Sequence, residues 1–287
     1  MANQITIVEK YSKLIDEKNK SEFAFQSLVD ESAKYDATTS KFRIPYADLG
    51  GGIGTYDKNS SDPFATSSVT TGYQDVETDY DLGGQIIVDS ADEIDSDNIA
   101  LAGGTNALMD KYVSIRNAMT SASICKKATK KVEETITDAE TFYKALRTGT
   151  NYMADHKVKP KKCILYTTEG FYSSLMDMDT IKSKDVLSKF NEIKIMTPDE
   201  FISAVKINTG RDGSFDYTKD TGARQLNFMI VDTNAIFTKD DIMMKNVSAS
   251  ENQNGFSHKF QLRFRGVSAY VLRNKADNVY VSYAAVE

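Results

Sequence analysis

Cysteine, histidine and long apolar runs are scarce in this 287-residue chain, and each scarcity removes a class of function. Two cysteines, Cys125 and Cys163, are too few for a disulfide scaffold or a cysteine-rich metal site, and they suit synthesis in a reducing cytoplasm. The two histidines, His156 and His258, sit in no local catalytic motif such as G-x-S-x-G. No apolar run approaches the roughly 20 residues of a membrane helix. The opening MANQITIVEKYSK has no signal-peptide core. Phosphate-binding motifs are missing as well. Leu49-Gly50-Gly51-Gly52-Ile53-Gly54 lacks the third glycine of a dinucleotide fingerprint and precedes polar, turn-rich sequence instead of a helix. Asp92, Glu93, Asp95 and Asp97 lack the central glycine and terminal glutamate of a calcium loop; helix-start electrostatics explain them better. The sequence therefore predicts no catalytic residue, no cofactor and no metal.

Basic residues are absent from one long stretch. Between Lys58 and Lys111 there is no Lys or Arg, yet eleven acids fall there, from Asp62 to Asp110. The net charge is −6, so the rest of the chain is mildly basic. An acidic block of this kind is either a solvated face or a surface that meets a basic one on another copy of the chain. Lys126-Lys127 with Lys130-Lys131, and Lys157 to Lys162, read as solvated patches, with non-specific phosphate contact as the second reading.

What is present is patterned. Residues 4–35 predict two amphipathic helical pieces, the first with Ile7, Tyr11 and Leu14, the second capped by Ser21 and carrying Phe25, Leu28 and Val29. Neither piece is apolar enough for an internal helix, which implies an arm. Phe42, Ile44 and Tyr46 alternate with Lys41 and Arg43 in a strand that Pro45 confines to an edge or an extended arm. After a polar, glycine- and serine-rich stretch, Val76, Thr78, Tyr80 and Leu82 alternate with Asp75, Glu77, Asp79 and Asp81. Two strands around so long a loop make a projecting hairpin, and long loops in compact domains are usually functional. Lys41 and Arg43 can meet part of the acidic row, leaving surplus negative charge.

Leu101, Leu108, Tyr112, Ile115, Met119 and Ala122 predict one long helix, interrupted by Gly103-Gly104, which suggest close packing or a bend. Beyond Lys126 helix and strand alternate. Thr137 and Glu140 predict a capping box and a helix to about Asp155; Lys162–Thr167 predicts a buried strand and Asn227–Asp232 a further strand; Thr197-Pro198-Asp199-Glu200 predicts a helix start; Asn208 to Ala223 predicts a flexible loop. Phe260, Leu262 and Phe264 alternate with Lys259, Gln261, Arg263 and Arg265. A polar turn at 274–278 then leads to Val279, Val281 and Tyr283, a terminal β-hairpin.

Taken in order, KYDATTSKFRIPYADLGGGIGTYDKNS, TGYQDVETDYDLGGQIIVDSADEIDSDN, LMDKYVSIRNAM, KKCILYTTEGFYSSL, LNFMIVDTNAIFT and KFQLRFRGVSAYVLRNKADNVYVSY resemble tailed-bacteriophage major capsid proteins of the Hong Kong 97 type. The resemblance covers nearly the whole chain and implies an α+β capsid fold. Residues 1–40 would be an N-terminal arm and 41–90 an extended loop reaching onto a neighbouring subunit. Residues 91–129 with 256–287 would form a peripheral domain containing a spine helix and the terminal hairpin, and 130–255 an axial domain. It implies self-assembly into hexamers and pentamers of an icosahedral shell around double-stranded DNA. It also implies partnership with a portal and a separate scaffolding protein, synthesis in a host bacterial cytoplasm, a place in the virion, and no membrane. On that reading Asp75, Glu77, Asp79 and Asp81, with Lys41, Arg43, Arg116, Arg263 and Arg265, are candidate inter-subunit contacts, and Gly103 and Gly104 candidate hinges. An encapsulin-like compartment shares the fold, and a soluble α/β nucleotide-binding enzyme built on 130–255 is the alternative from another class.

Overall fold

The computed structural model describes residues 13, 15–52, 54, 56, 58–59, 64, 67–89, 99–178, 180–209, 215–247, 257–272 and 275–285. The first helical face expected from Ile7, Tyr11 and Leu14, and the acidic helix start at Asp92–Asp97, lie outside these residues. The chain divides into two compact units, Asp30–Asp79 and the remainder.

The smaller unit is a three-stranded antiparallel sheet of β1 (Lys34–Asp36), β2 (Lys41–Gly50) and β3 (Ser68–Glu77), in that order. Strands β2 and β3 pair from Lys41↔Glu77 to Gly50↔Ser68. Period-two geometry turns Phe42, Ile44 and Val76 to a buried face and Lys41, Arg43, Leu49, Val69, Tyr73, Asp75 and Glu77 to the opposite one.

The larger unit is built on two larger sheets and one two-stranded sheet. One is three-stranded, β11 (Ile236–Val247), β12 (Ser257–Val271) and β4 (Tyr80–Asp89), all antiparallel. Phe260, Leu262 and Phe264 of β12 are buried, as their alternation predicts, against the helix α1 (Ile99–Lys127) through Met109, Tyr112 and Val113. The single strand expected through residues 75–82 is two strands. β3 stops at Glu77, β4 starts at Tyr80, and the two join different sheets because Tyr80 is drawn into this core beside Gly266. Glycine is required there: a Cβ on Gly266 would lie 2.6 Å from the Lys239 carbonyl oxygen and would overlap the Tyr80 hydroxyl. Gly266→Ala is expected to lose about 1–3 kcal/mol of stability, read by urea unfolding.

The second sheet has five strands in the order β5 (Lys130–Glu133), β13 (Val279–Tyr283), β10 (Leu226–Asp232), β6 (Cys163–Thr168) and β7 (Glu192–Met196). β6 and β10 are buried at every position. Alternate residues serve two cores: Ile164 and Tyr166 face Phe25 and Ile124, while Cys163 and Leu165 face Phe142 and Leu146 of α2 (Ala139–Asp155). Burial pushes the Cys163 thiol up to about 12. The terminal hairpin is not formed. β12 pairs with β11 and β4, whereas β13 pairs with β10 and β5, so the polar turn carries the chain from one sheet to the other. Lys130 and Lys131 on the edge strand β5 are exposed, a charge pattern that discourages edge-to-edge pairing.

Four local expectations are corrected. Helix α2 starts one residue later than expected, with Asp138 as N-cap bonded reciprocally to Thr141. Thr197–Glu200 forms a turn and no helix, because Phe201 and Ile202 are fully buried and Ile202 bridges Gln225. The stretch 208–223 contains part of a hairpin, β8 (Val205–Thr209) with β9 (Phe215–Lys219). Ser21 lies inside helical residues and donates to the Lys18 carbonyl instead of capping a second helix. The chain after it packs inward. Phe23, Phe25 and Leu28 are core residues, and Phe25 stacks on Tyr166 at 4.5 Å.

Candidate assembly surfaces

The exposed face of the hairpin β2–β3 combines two kinds of side chain. At its base Lys41 pairs with Glu77 at 3.0 Å and Arg43 with Asp75 at 3.3 Å, each directly cross-strand. Further along the same face Leu49 and Val69 oppose each other, 63% and 64% exposed, and Tyr73 is 71% exposed. Towards the loop Tyr56 and Phe64 pack ring to ring at 5.3 Å and are also largely exposed. Half of the large exposed apolar side chains among the described residues lie in this unit of 30–79. Such a patch marks an interaction site. Sequence reading found the hairpin and its charges but passed over this strip. Its signal was the parity of Leu49, Val69 and Tyr73 with the exposed charges.

The acidic row is largely answered within the chain. Asp75 and Glu77 have the partners just given. Asp81, on β4, is held by Arg263 of β12 through two hydrogen bonds, the Nε–Oδ1 contact at 2.8 Å. That hydrogen bonding holds the Asp81 carboxyl below its usual range. Asp79 is exposed between the two strands. Arg265 lies 4.0 Å from Asp241 and donates to the Met243 sulfur. Exposed pairs of this kind each contribute at most about 1 kcal/mol.

Arg116 is not an interface residue. It is 1% exposed inside the larger unit, with Nη2 3.1 Å from Asp240 and Nη1 donating to Asn19 at 2.9 Å. Its guanidinium lies 3.6 Å over the Phe23 ring. Asp240 also accepts from Tyr112 at 2.8 Å and from Asn19 at 2.9 Å, and the Tyr112 and Tyr80 hydroxyls are 3.1 Å apart. Burial is the largest single influence and would lower the Arg116 pKa, but Asp240 together with Tyr112 and Tyr80 outweighs it and the net shift is upward. Burial, with Tyr80 and Asp240 beside it, pushes the Tyr112 phenol well up. The network ties residues 19–23, helix α1 and strand β11 together.

Gly103 and Gly104 sit within the unbroken helix α1. A Cβ on Gly104 would lie 3.0 Å from Ile86 of β4, so this glycine permits close helix-to-sheet packing; a Cβ on Gly103 would meet nothing within 4 Å. Gly103→Ala should therefore stabilise the chain by about 1 kcal/mol, through helix propensity, as a raised thermal midpoint.

Among the described residues no cluster of three or more His, Cys, Asp or Glu could hold a metal, and no helix is long and apolar enough to cross a membrane.

No protein-family model matches the chain, and no curated protein matches its sequence. Solved structures do match. The mature capsid of bacteriophage PhiM1 aligns at a TM-score of 0.54 and 12% identity, covering 85% of this chain and 82% of that one. The capsid of the cyanophage P-SCSP1u gives 0.51 and 13% identity, over 85% and 84%. That of Staphylococcus phage Andhra gives 0.50 and 11%, over 85% and 81%. The α+β fold of this chain is the Hong Kong 97-like fold of these phage capsids.

Proposed function

We propose that this chain is the major capsid protein of a tailed phage. It assembles into hexamers and pentamers of an icosahedral shell around double-stranded DNA. The observation that carries the reading is a capsid fold whose hairpin unit exposes a strip of large apolar side chains no monomer needs. Residues 91–129 with 256–287 serve as the peripheral domain and 130–255 as the axial domain. The hairpin covers a neighbouring subunit, and Leu49, Val69 and Tyr73 make the contact instead of the acidic row. Contacts repeated around a shell sum, so a modest area per copy suffices. A portal, a separate scaffolding chain and non-specifically bound DNA complete the partners; the protein is made in the host cytoplasm, works in the virion and performs no catalysis. Fold neighbours that are phage capsids favour this over an encapsulin-like compartment.

Negative-stain microscopy with light scattering, over a range of protein and salt concentrations, tests the proposal. Closed shells, capsomer rings or tubes are expected. A monomer under every condition, including co-expression with the genes flanking its own, would overturn it.

A further inference from the structure

Helix α2 ends in a turn that usually carries glycine. The Val158 N–H donates to the Met153 carbonyl at 3.0 Å and the Lys157 N–H to the Ala154 carbonyl at 2.9 Å, the bond pair that closes a helix through a left-handed residue. That residue is Lys157, with a φ of 62°, where a Cβ is unfavourable and glycine is preferred. Val158 is buried in the same core cluster as Met153, which fixes the turn. Pro160–Lys162 then forms a 3₁₀ turn, with the Lys162 N–H donating to the Lys159 carbonyl at 2.8 Å, and β6 begins at the next residue. Lys157, Lys159, Lys161 and Lys162 are therefore carried on six residues of hydrogen-bonded backbone, and all four are exposed. A fifth base is tied to the same place. The Thr233 N–H donates to the Lys162 carbonyl at 3.1 Å, and the Lys275 ammonium donates to the carbonyl of the next residue, Asn234, at 2.8 Å.

None of the four turn lysines makes an ion pair among the described residues, although Asp155 is exposed two residues before the first. Lys144, Lys182, Lys189 and Lys194 all do, with Glu140, Asp185 and Glu192. The dipole of α2 favours a cation at Lys157, but its effect falls off within the last turn and leaves Lys159, Lys161 and Lys162 unexplained. No large exposed apolar side chain among the described residues falls in 155–162 or 275–278. A protein partner is anchored by apolar and aromatic groups, whereas phosphates are met by charge and hydrogen-bond donors alone. The turn suits a polyphosphate.

We propose that the turn 157–162 binds the phosphate backbone of double-stranded DNA. The inference rests on the shell reading above for its ligand, the enclosed duplex, and gives that DNA a place of contact on the chain. The net charge of −6 repels DNA from the chain as a whole, so contact requires a local basic surface.

Fluorescence anisotropy of a short labelled duplex of mixed sequence, with the full chain kept dissociated at low concentration, tests this. Four phosphate contacts imply that affinity falls roughly a hundredfold between about 50 and 200 mM salt. Lys157→Gln, Lys159→Gln, Lys161→Gln and Lys162→Gln combined should weaken binding by at least about tenfold and flatten that salt dependence. The same exchange at Lys144, Lys182, Lys189 and Lys194 alters net charge equally and should leave binding in place. Lys157→Gly alone relieves the left-handed backbone, so it should raise the thermal midpoint while reducing the salt dependence by about one phosphate contact. No binding by the unaltered chain at low salt, unchanged binding in the turn variant, equal loss in the control variant, or tighter binding of polyglutamate than of the duplex would overturn the proposal. Negative stain of the same chain at assembling concentrations reads the shell separately. Particles from a chain that binds no DNA would remove this inference and leave the shell standing; DNA binding through the turn without particles would do the reverse.

Discussion

Arg116→Ala will destabilise the isolated chain by about 3–5 kcal/mol, the usual cost of leaving a buried charge without its partner. For a protein of this size that is roughly a 10 °C fall in thermal midpoint. The carboxylate left behind is Asp240, which would keep its bonds to Tyr112 and Asn19 but lose its only countercharge within the described network. Asn19 would lose the donor that fixes its amide, and Phe23 the cation over its ring. Because Asn19 and Phe23 lead directly into the buried Phe25 and Leu28, the loss would spread to the contact between residues 23–28 and the five-stranded sheet. The double variant Arg116→Met with Asp240→Asn should cost clearly less than Arg116→Ala, since no uncompensated charge remains. Urea unfolding of the dissociated chain measures both. Had Arg116 been an inter-subunit residue, the single variant would leave this stability untouched and weaken assembly alone.

That outcome bears on what the sequence could reveal. The stripe Leu101, Tyr112, Ile115 and Met119 marked helix α1 correctly, and the alternation of Phe260, Leu262 and Phe264 marked a half-buried strand. Arg116 falls four residues after Tyr112 and three before Met119, so the same spacing placed it on the buried face. Its charge argued the other way and won. Asp240 decides the matter, and nothing local announces a partner so far along the chain. The misread terminal hairpin has a related cause. A polar turn between two apolar runs predicts local pairing, yet Val279, Tyr280 and Val281 run without alternation, which is the pattern of a strand covered on both faces. Thr197-Pro198-Asp199-Glu200 had every helix-start residue, and burial of Phe201 and Ile202 overrode it. Local rules lost wherever a long-range burial competed with them. The acidic row was legible as composition, but its pairing with Lys41, Arg43 and Arg263 depends on register.

Register also sets the second large effect. Leu49→Ser, Val69→Ser and Tyr73→Ser combined will abolish particle formation while leaving the chain folded with an unchanged thermal midpoint. The folded state scarcely uses these side chains, since each is more than half exposed. If they are buried only between copies, each contributes up to about 1.5–3 kcal/mol of apolar transfer to that contact, and every copy in a shell loses it at once. Salt separates this account from one based on the acidic row. Asp75, Glu77 and Asp81 are already paired inside the chain, so charge reversal there would first break internal pairs. An electrostatic contact between exposed groups would weaken steeply as ionic strength rises and the screening length falls to about 3 Å at 1 M. An apolar contact does not weaken in that way, and strongly hydrated salts reinforce it. Wild-type particles should therefore persist or form more readily in sulfate, and the triple variant should form none at any salt concentration. Normal particles from the triple variant, seen by negative stain and sized by light scattering, would return the contact to the charged residues and leave the apolar strip without a role.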